Sequence, residues 1–133
     1  MQQHERVNMP RKYTELTFTD TVKRTQEEYG SRRQGEKLEA MDWQDDRLTD
    51  REAAFISQRD GFYVASVGEN GWPYVQFRGG PKGFWKVTDD RTLAFADFRG
   101  NLQYITTGNI RHNDRVALFL MDYVNRQRLK IMA

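Results

Sequence analysis

Phe62-Tyr63-Val64-Ala65-Ser66-Val67-Gly68-Glu69-Asn70-Gly71-Trp72-Pro73-Tyr74-Val75-Gln76-Phe77-Arg78 is the stretch on which the fold turns. Its first six residues are β-branched, aromatic or small, as a half-buried strand requires. Asn70-Gly71 is the strongest short-range hairpin signal, because both central residues of the favoured turn need positive φ. Trp72 to Arg78 is then the return strand, with Pro73 near its start, where the missing N–H costs no ladder bond.

Downstream the same period continues. Gly79-Gly80-Pro81-Lys82-Gly83 breaks the pattern, Phe84 to Val87 resumes it, and Thr88-Asp89-Asp90-Arg91 is a second turn leading to Leu93–Phe98. Arg99-Gly100-Asn101 opens a short helix from Leu102 to about Thr107, with Asn101 as its N-cap and Gly108 as its stop. Val116 to Asp122 is an apolar run typical of a buried strand, and Leu129 to Met132 begins another after a turn at Val124–Gln127. Closely spaced strands joined by turn chemistry predict a small antiparallel barrel or sandwich.

Upstream the chain is helical and loop-like. Phe18-Thr19-Asp20 opens a helix that runs to Tyr29 and ends at Gly30. Ser31 to Asp46 is polar and without strong period, a connector with a short helix. Thr49-Asp50-Arg51-Glu52 has the spacing of a capping box, so a helix carrying Ala53, Phe55 and Ile56 should stop at Asp60-Gly61.

Composition narrows the chemistry. The 133 residues carry 21 Lys+Arg, 19 Asp+Glu, two histidines and no cysteine. The missing thiols exclude disulfides, cysteine-ligated metals and thiol nucleophiles. His4 lies in the polar N-terminal tail and His112 in a polar loop, too far apart in sequence for a histidine metal site. No apolar run approaches the ~20 residues of a membrane span, and no signal-peptide core is evident, so the expected compartment is the cytoplasm. Charge is uneven. Residues 1–52 hold 10 basic and 12 acidic residues, whereas 53–133 hold 11 and 7. The basic half suits a small anionic ligand or, less well, a nucleic acid.

Two features suit a phosphate-bearing cofactor. Gln76-x-Arg78-Gly79-Gly80 sets alternate side chains on one strand face before a glycine break that admits a close ligand. Arg99-Gly100-Asn101-Leu102-Gln103 is a strand-to-helix turn, where free N–H groups and the helix dipole favour an anion. Each also reads as ordinary structure: a solvated strand end, and a capped turn. Asp89-Asp90 reads as turn chemistry rather than a catalytic carboxylate pair, and no residue is marked as catalytic. Any redox reactivity must therefore come from a bound cofactor.

In the order of these segments the sequence resembles the pyridoxamine 5′-phosphate oxidase-like, FMN-binding split-barrel family. The residues that carry the resemblance are Phe62–Val67, Gly71–Gln76, Leu93–Phe98, the Arg99-Gly100-Asn101 turn and Asn113-Asp114-Arg115-Val116-Ala117-Leu118-Phe119. Phe18-Thr19 and Gly30-Ser31-Arg32 are similar to a flavin-nucleotide-binding subgroup. The resemblance implies a mainly β fold, an antiparallel split β-barrel with N-terminal helices and a short helix between barrel strands. It also implies a homodimer with FMN at the interface, and deazaflavin as the cofactor in some relatives. Carried over by position, it places the cofactor on Gln76, Arg78 and Gly79, on Phe95 and Ala96, on Arg99, Gly100, Asn101 and Gln103, and on Arg128. Where the true oxidases have Ser-Arg-Lys on the phosphate, this chain has Gly100-Asn101-Leu102. The oxidases' C-terminal substrate-binding segment has no counterpart.

The expected organisation is an N-terminal helical extension and connector over 1–52 and an FMN-binding split barrel over 53–133. The C-terminal part of the barrel is expected to be missing, leaving the Leu129–Met132 edge open. Either the chain is part of a longer protein or a partner copy completes the barrel. The expected function is a flavin-dependent oxidoreductase acting on a small-molecule redox substrate. The alternatives are a non-catalytic flavin carrier or sensor and, less favoured, a single-stranded nucleic-acid-binding β-barrel.

Overall fold

The computed structural model describes residues 12–41, 46–97 and 100–133. His4, Phe98 and Arg99 lie outside them. The chain divides into two compact units, Met1–Arg47 and Leu48–Ala133.

The first unit holds α1 (Tyr13–Thr17), α2 (Asp20–Glu28) and α3 (Arg32–Ala40). Thr19 caps α2 by accepting the Val22 N–H, and Gly30 follows at φ +74°. The expected connector is more ordered than its composition suggested, since α3 occupies nine of its residues. Polar pairing supplies what apolar period does not. Arg32 donates to the Gln26 side chain at 2.6 Å and pairs with Glu39, which Lys23 also meets at 3.2 Å. The hydrogen bond from Arg32, with Lys23 beside it, holds the Glu39 carboxyl below its ordinary range.

The second unit holds α4 (Asp50–Ser57), β1 (Gly61–Val67), β2 (Pro73–Gly79), β3 (Trp85–Asp89), β4 (Thr92–Phe95), α5 (Ile105–His112), β5 (Ala117–Asp122) and β6 (Gln127–Met132). The capping box forms as its spacing predicts, with Glu52 accepting the Thr49 N–H at 2.9 Å. All strand pairs are antiparallel. One sheet has the order β2-β1-β5-β6, β3 and β4 form a separate hairpin, and the two sheets do not close into a barrel. The arrangement is that of a partial split barrel.

Register sorts the side chains. Phe62↔Arg78, Val64↔Gln76 and Ser66↔Tyr74 share one face of β1–β2, and Val64↔Leu118 extends it to β5. That face is the core. Ile56, Phe62, Val64, Phe84, Trp85, Leu118 and Leu120 are buried there, with Phe62 edge-on to Trp85 at 4.2 Å between ring centroids. Arg59, just past α4, fastens it to the end of β5 by donating to the Met121 carbonyl and pairing with Asp122, both at 3.2 Å.

Both turns form where they were read, but in the first only Gly71, not Asn70, takes positive φ. In the β1–β2 hairpin Gly71 takes φ +83° and Asn70 accepts the Trp72 N–H. In the second, Asp89 accepts the Arg91 N–H at 2.8 Å, a bond that lowers the Asp89 pKa and leaves the carboxylate committed to the turn.

The helix after β4 departs from its prediction. It starts at Ile105, not Leu102, and runs through Gly108 to His112, so His112 ends a helix rather than sitting in a loop. Asn101 does not cap it. Its Oδ1 accepts the Gln103 N–H at 3.2 Å, and Tyr104, at φ +54°, occupies the cap position. The chain's final turn also lies one residue earlier, at 123–126.

Candidate functional site

The site is built on the core face of β2. Because Gln76 stands opposite Val64 and Arg78 opposite Phe62, both point toward the layer that covers the sheet. Gln76 Oε1 accepts a hydrogen bond from Thr106 Oγ1, which is buried at the first turn of α5, at 2.8 Å. Arg78 pairs with Asp97, just beyond β4, and its guanidinium lies 6.0 Å from the centre of the Phe95 ring.

These two contacts define the geometry. Asp97 and Thr106 are the two ends of the segment that joins β4 to α5, and adjacent same-face residues of β2 hold one each. Asp97 and Thr106 are thus both tied to β2. Asn109, one turn along α5, adds a third tie by donating to Ser66 Oγ of β1 at 3.0 Å, with Ser66 itself buried.

Within the clamp the backbone is unusual. Leu102 and Tyr104 both have positive φ, at 64° and 54°. Each costs on the order of 1 kcal/mol for an L residue. The Asn101–Gln103 pairing offsets part of this, and Gly100 to Tyr104 stay exposed. Left-handed residues of this kind occur in anion-binding loops, although here the Gln103 N–H is taken by Asn101.

The predicted residues distribute as follows. Gln76, Arg78 and Phe95 come together on the core side. Gly100, Asn101 and Gln103 lie in the clamped segment, and the exposed Ala96 lies directly before Asp97. Gly79 serves a different neighbour: a Cβ there would stand 3.2 Å from the Phe77 ring, which lies on the opposite face of the sheet and also crosses Gly61. Arg128 is not brought to the group. It sits on β6 opposite Met121, on the other sheet face, with β1 and β5 between it and β2. Asp97, Thr106, Asn109 and Ser66 were not read as site residues. They are polar residues in unremarkable local contexts, and only the register of β2 and the docking of α5 give them partners.

Two buried donors remain. Among the described residues, Arg78 Nε and Trp85 Nε1 are buried without a hydrogen-bond partner. Buried N–H groups are nearly always paired, so these mark the place where an acceptor is wanted. No group of histidine, cysteine and acidic side chains among the described residues could hold a metal ion.

The other face of the sheet is open and apolar. Tyr63, Val67, Val75, Phe77 and Met132 are exposed on it, Val75 to 62% and Phe77 to 58%. Tyr63 and Phe77 pack edge-on at 5.3 Å, and the Tyr63 hydroxyl lies 3.2 Å from that of Tyr123. These apolar side chains share the face with Arg128 of β6.

The family model for pyridoxamine 5′-phosphate oxidase matches residues 48–133. The chain belongs to that family. The match spans the unit that carries the clamp, and its fold is the open, antiparallel form of the pyridoxamine 5′-phosphate oxidase-like barrel. Members of the pyridoxamine 5′-phosphate oxidase family typically bind flavin nucleotides. No curated protein and no solved structure matches the chain. No helix among the described residues is long and apolar enough to cross a membrane.

Proposed function

We propose that this chain binds FMN between β2 and the segment 97–106, and serves as a flavin-dependent oxidoreductase for a small-molecule substrate. The observation that carries the reading is the clamp. Gln76 and Arg78 of one strand hold Thr106 and Asp97 on either side of the exposed residues 100–104, and the half-buried Arg78 keeps a buried Nε without a partner. A flavin nucleotide fits such a site, since its phosphate needs N–H donors and its ring needs an aromatic wall with few polar partners. Gly100 to Leu102 offer the backbone donors, Arg99 adds charge to the same stretch of sequence, and Phe95 offers the wall. When bound, the isoalloxazine ring supplies the electron-transfer chemistry that the side chains lack. The protein's part is to hold and orient it.

The second element of the proposal is a homodimer through the open sheet face, with the cofactor near the interface. The exposed Val75, Phe77 and Tyr63 support it.

The purified protein should show flavin absorbance or take up FMN after stripping, and a nicotinamide donor should reduce the bound flavin. Folded protein that binds no FMN refutes the proposal. Binding without turnover against any acceptor favours a flavin carrier instead. Sedimentation should give a dimer mass that Phe77→Glu reduces to a monomer, and a monomeric parent protein refutes the dimer.

A further inference from the structure

We infer that the helical unit of residues 13–40 is a charge-latched module that opens with salt and acid independently of the strands of the second unit. Its helices are short, five residues in α1 and nine each in α2 and α3. Helices of that length are marginal in water and need packing beyond their own backbone. Apolar packing is thin here. Among the described residues of the unit Gly35 alone is buried, and Tyr13 and Phe18 are half-buried, while Leu16, Val22 and Leu38 are exposed.

The seam between α2 and α3 is polar instead. Gly35 lets the two helices close, since a Cβ there would stand 2.6 Å from Gln26 Oε1 and 2.8 Å from Arg32 Nη1. Two ties cross the seam: Arg32 donates to Gln26, and Lys23 meets one Glu39 oxygen at 3.2 Å while Arg32 takes the other. Glu36 lies 3.9 Å from Arg32 Nε. From α1, Lys12 donates to the Met41 carbonyl just past α3 at 3.0 Å, and Glu15 accepts the Lys12 N–H. Partly exposed pairs each contribute little and are screened by salt. A seam made of them, with no apolar core beneath, stays close to its opening threshold. Protonating Glu39 cuts one tie and leaves Lys23 and Arg32 as like charges. Because the Arg32 hydrogen bond first, and Lys23 after it, hold that carboxyl below its ordinary 4.5, the tie is intact above that value and is lost as pH falls through the folded pKa.

The test is hydrogen exchange of the full-length protein, read by mass spectrometry as the protection of residues 20–40 relative to that of β1 and β5. Raising NaCl from about 0.05 M to about 1 M at neutral pH should lower this relative protection about two- to fivefold, the worth of one partly exposed ion pair. Lowering the pH from about 7 to about 3 should lower it as well, once each rate is corrected for the intrinsic exchange at that pH. Glu39→Gln should lose the protection already at neutral pH and give up most of the pH response. Lys23→Met, which spares the carboxylate and cuts the tie between the helices, is the second variant and should lose protection in the same residues. Protection of 20–40 that is indifferent to salt would overturn the inference. A pH response that survives Glu39→Gln would overturn it too, as would exchange in 20–40 that rises only together with exchange in β1 and β5.

Discussion

Replacing Thr106 by valine tests the clamp directly. Valine keeps the shape of threonine but removes the hydroxyl that donates to Gln76 Oε1 at 2.8 Å. A neutral hydrogen bond contributes about 0.5–1.5 kcal/mol net, and a buried acceptor left without a donor costs about 1–3 kcal/mol. Gln76 is half-buried, so water reaches it in part, and the lower part of that range applies: about 1–2 kcal/mol. For a domain of this size the loss corresponds to a fall in Tm of roughly 5–10 °C. Gln76→Leu breaks the same bond from the other side. In the double variant both polar groups are gone and apolar surfaces meet. Its cost should therefore fall short of the two single costs combined by about 1 kcal/mol. The assay is urea unfolding of flavin-free protein followed by tryptophan fluorescence, with Trp85 reporting from the core. Without flavin, ligand linkage adds nothing to the measured stability. Strictly additive single and double variants would show that the two side chains are not energetically coupled, and the clamp would lose its foundation.

Other outcomes follow from the same geometry. Gly108 sits inside α5 with nothing within 4 Å of a built Cβ. Gly108→Ala should thus raise stability by about 0.5–1 kcal/mol in thermal unfolding, and a loss would mean that the helix needs glycine there. Leu120 is fully buried, so Leu120→Ala should cost about 2–5 kcal/mol in urea unfolding. Asp122 is held down to about 2 from 3.8, first by the Asn125 side chain, then by the Asn125 N–H, with Arg59 adding to both. A depressed carboxylate stabilises the fold above its unfolded pKa and loses that contribution as pH falls toward the folded value. Asp122→Asn should therefore be less stable than the parent at neutral pH, and the gap should close between about pH 4 and pH 2. A constant gap across that range would refute the assignment.

How much was legible in the sequence depended on how local the deciding interactions are. The β1–β2 hairpin was readable because Asn70-Gly71 sets its turn within four residues, and α4 because Thr49 and Glu52 satisfy each other's end of one helix. The basic and polar strand face at Gln76 and Arg78 followed from alternation alone. The start of α5 was not readable. Asn101 carried a good capping signal, but the helix starts where Thr106 and Asn109 reach Gln76 and Ser66, and docking outweighed the local cap. Gly108 misled for the same reason.

By itself, then, the sequence determined the two classes of element, the cysteine-free chemistry, the turns and the alternating faces, because each rests on residues a few positions apart. Only the tertiary structure decided that Arg78 is paired with Asp97, that Trp85 holds an unused donor beside Phe95, and that Arg128 lies on the far sheet face. Those facts depend on strand order and on the packing of one sheet against another hairpin. Such long-range pairings leave no local pattern, since any polar residue of suitable length can occupy the position until a partner arrives from elsewhere in the chain.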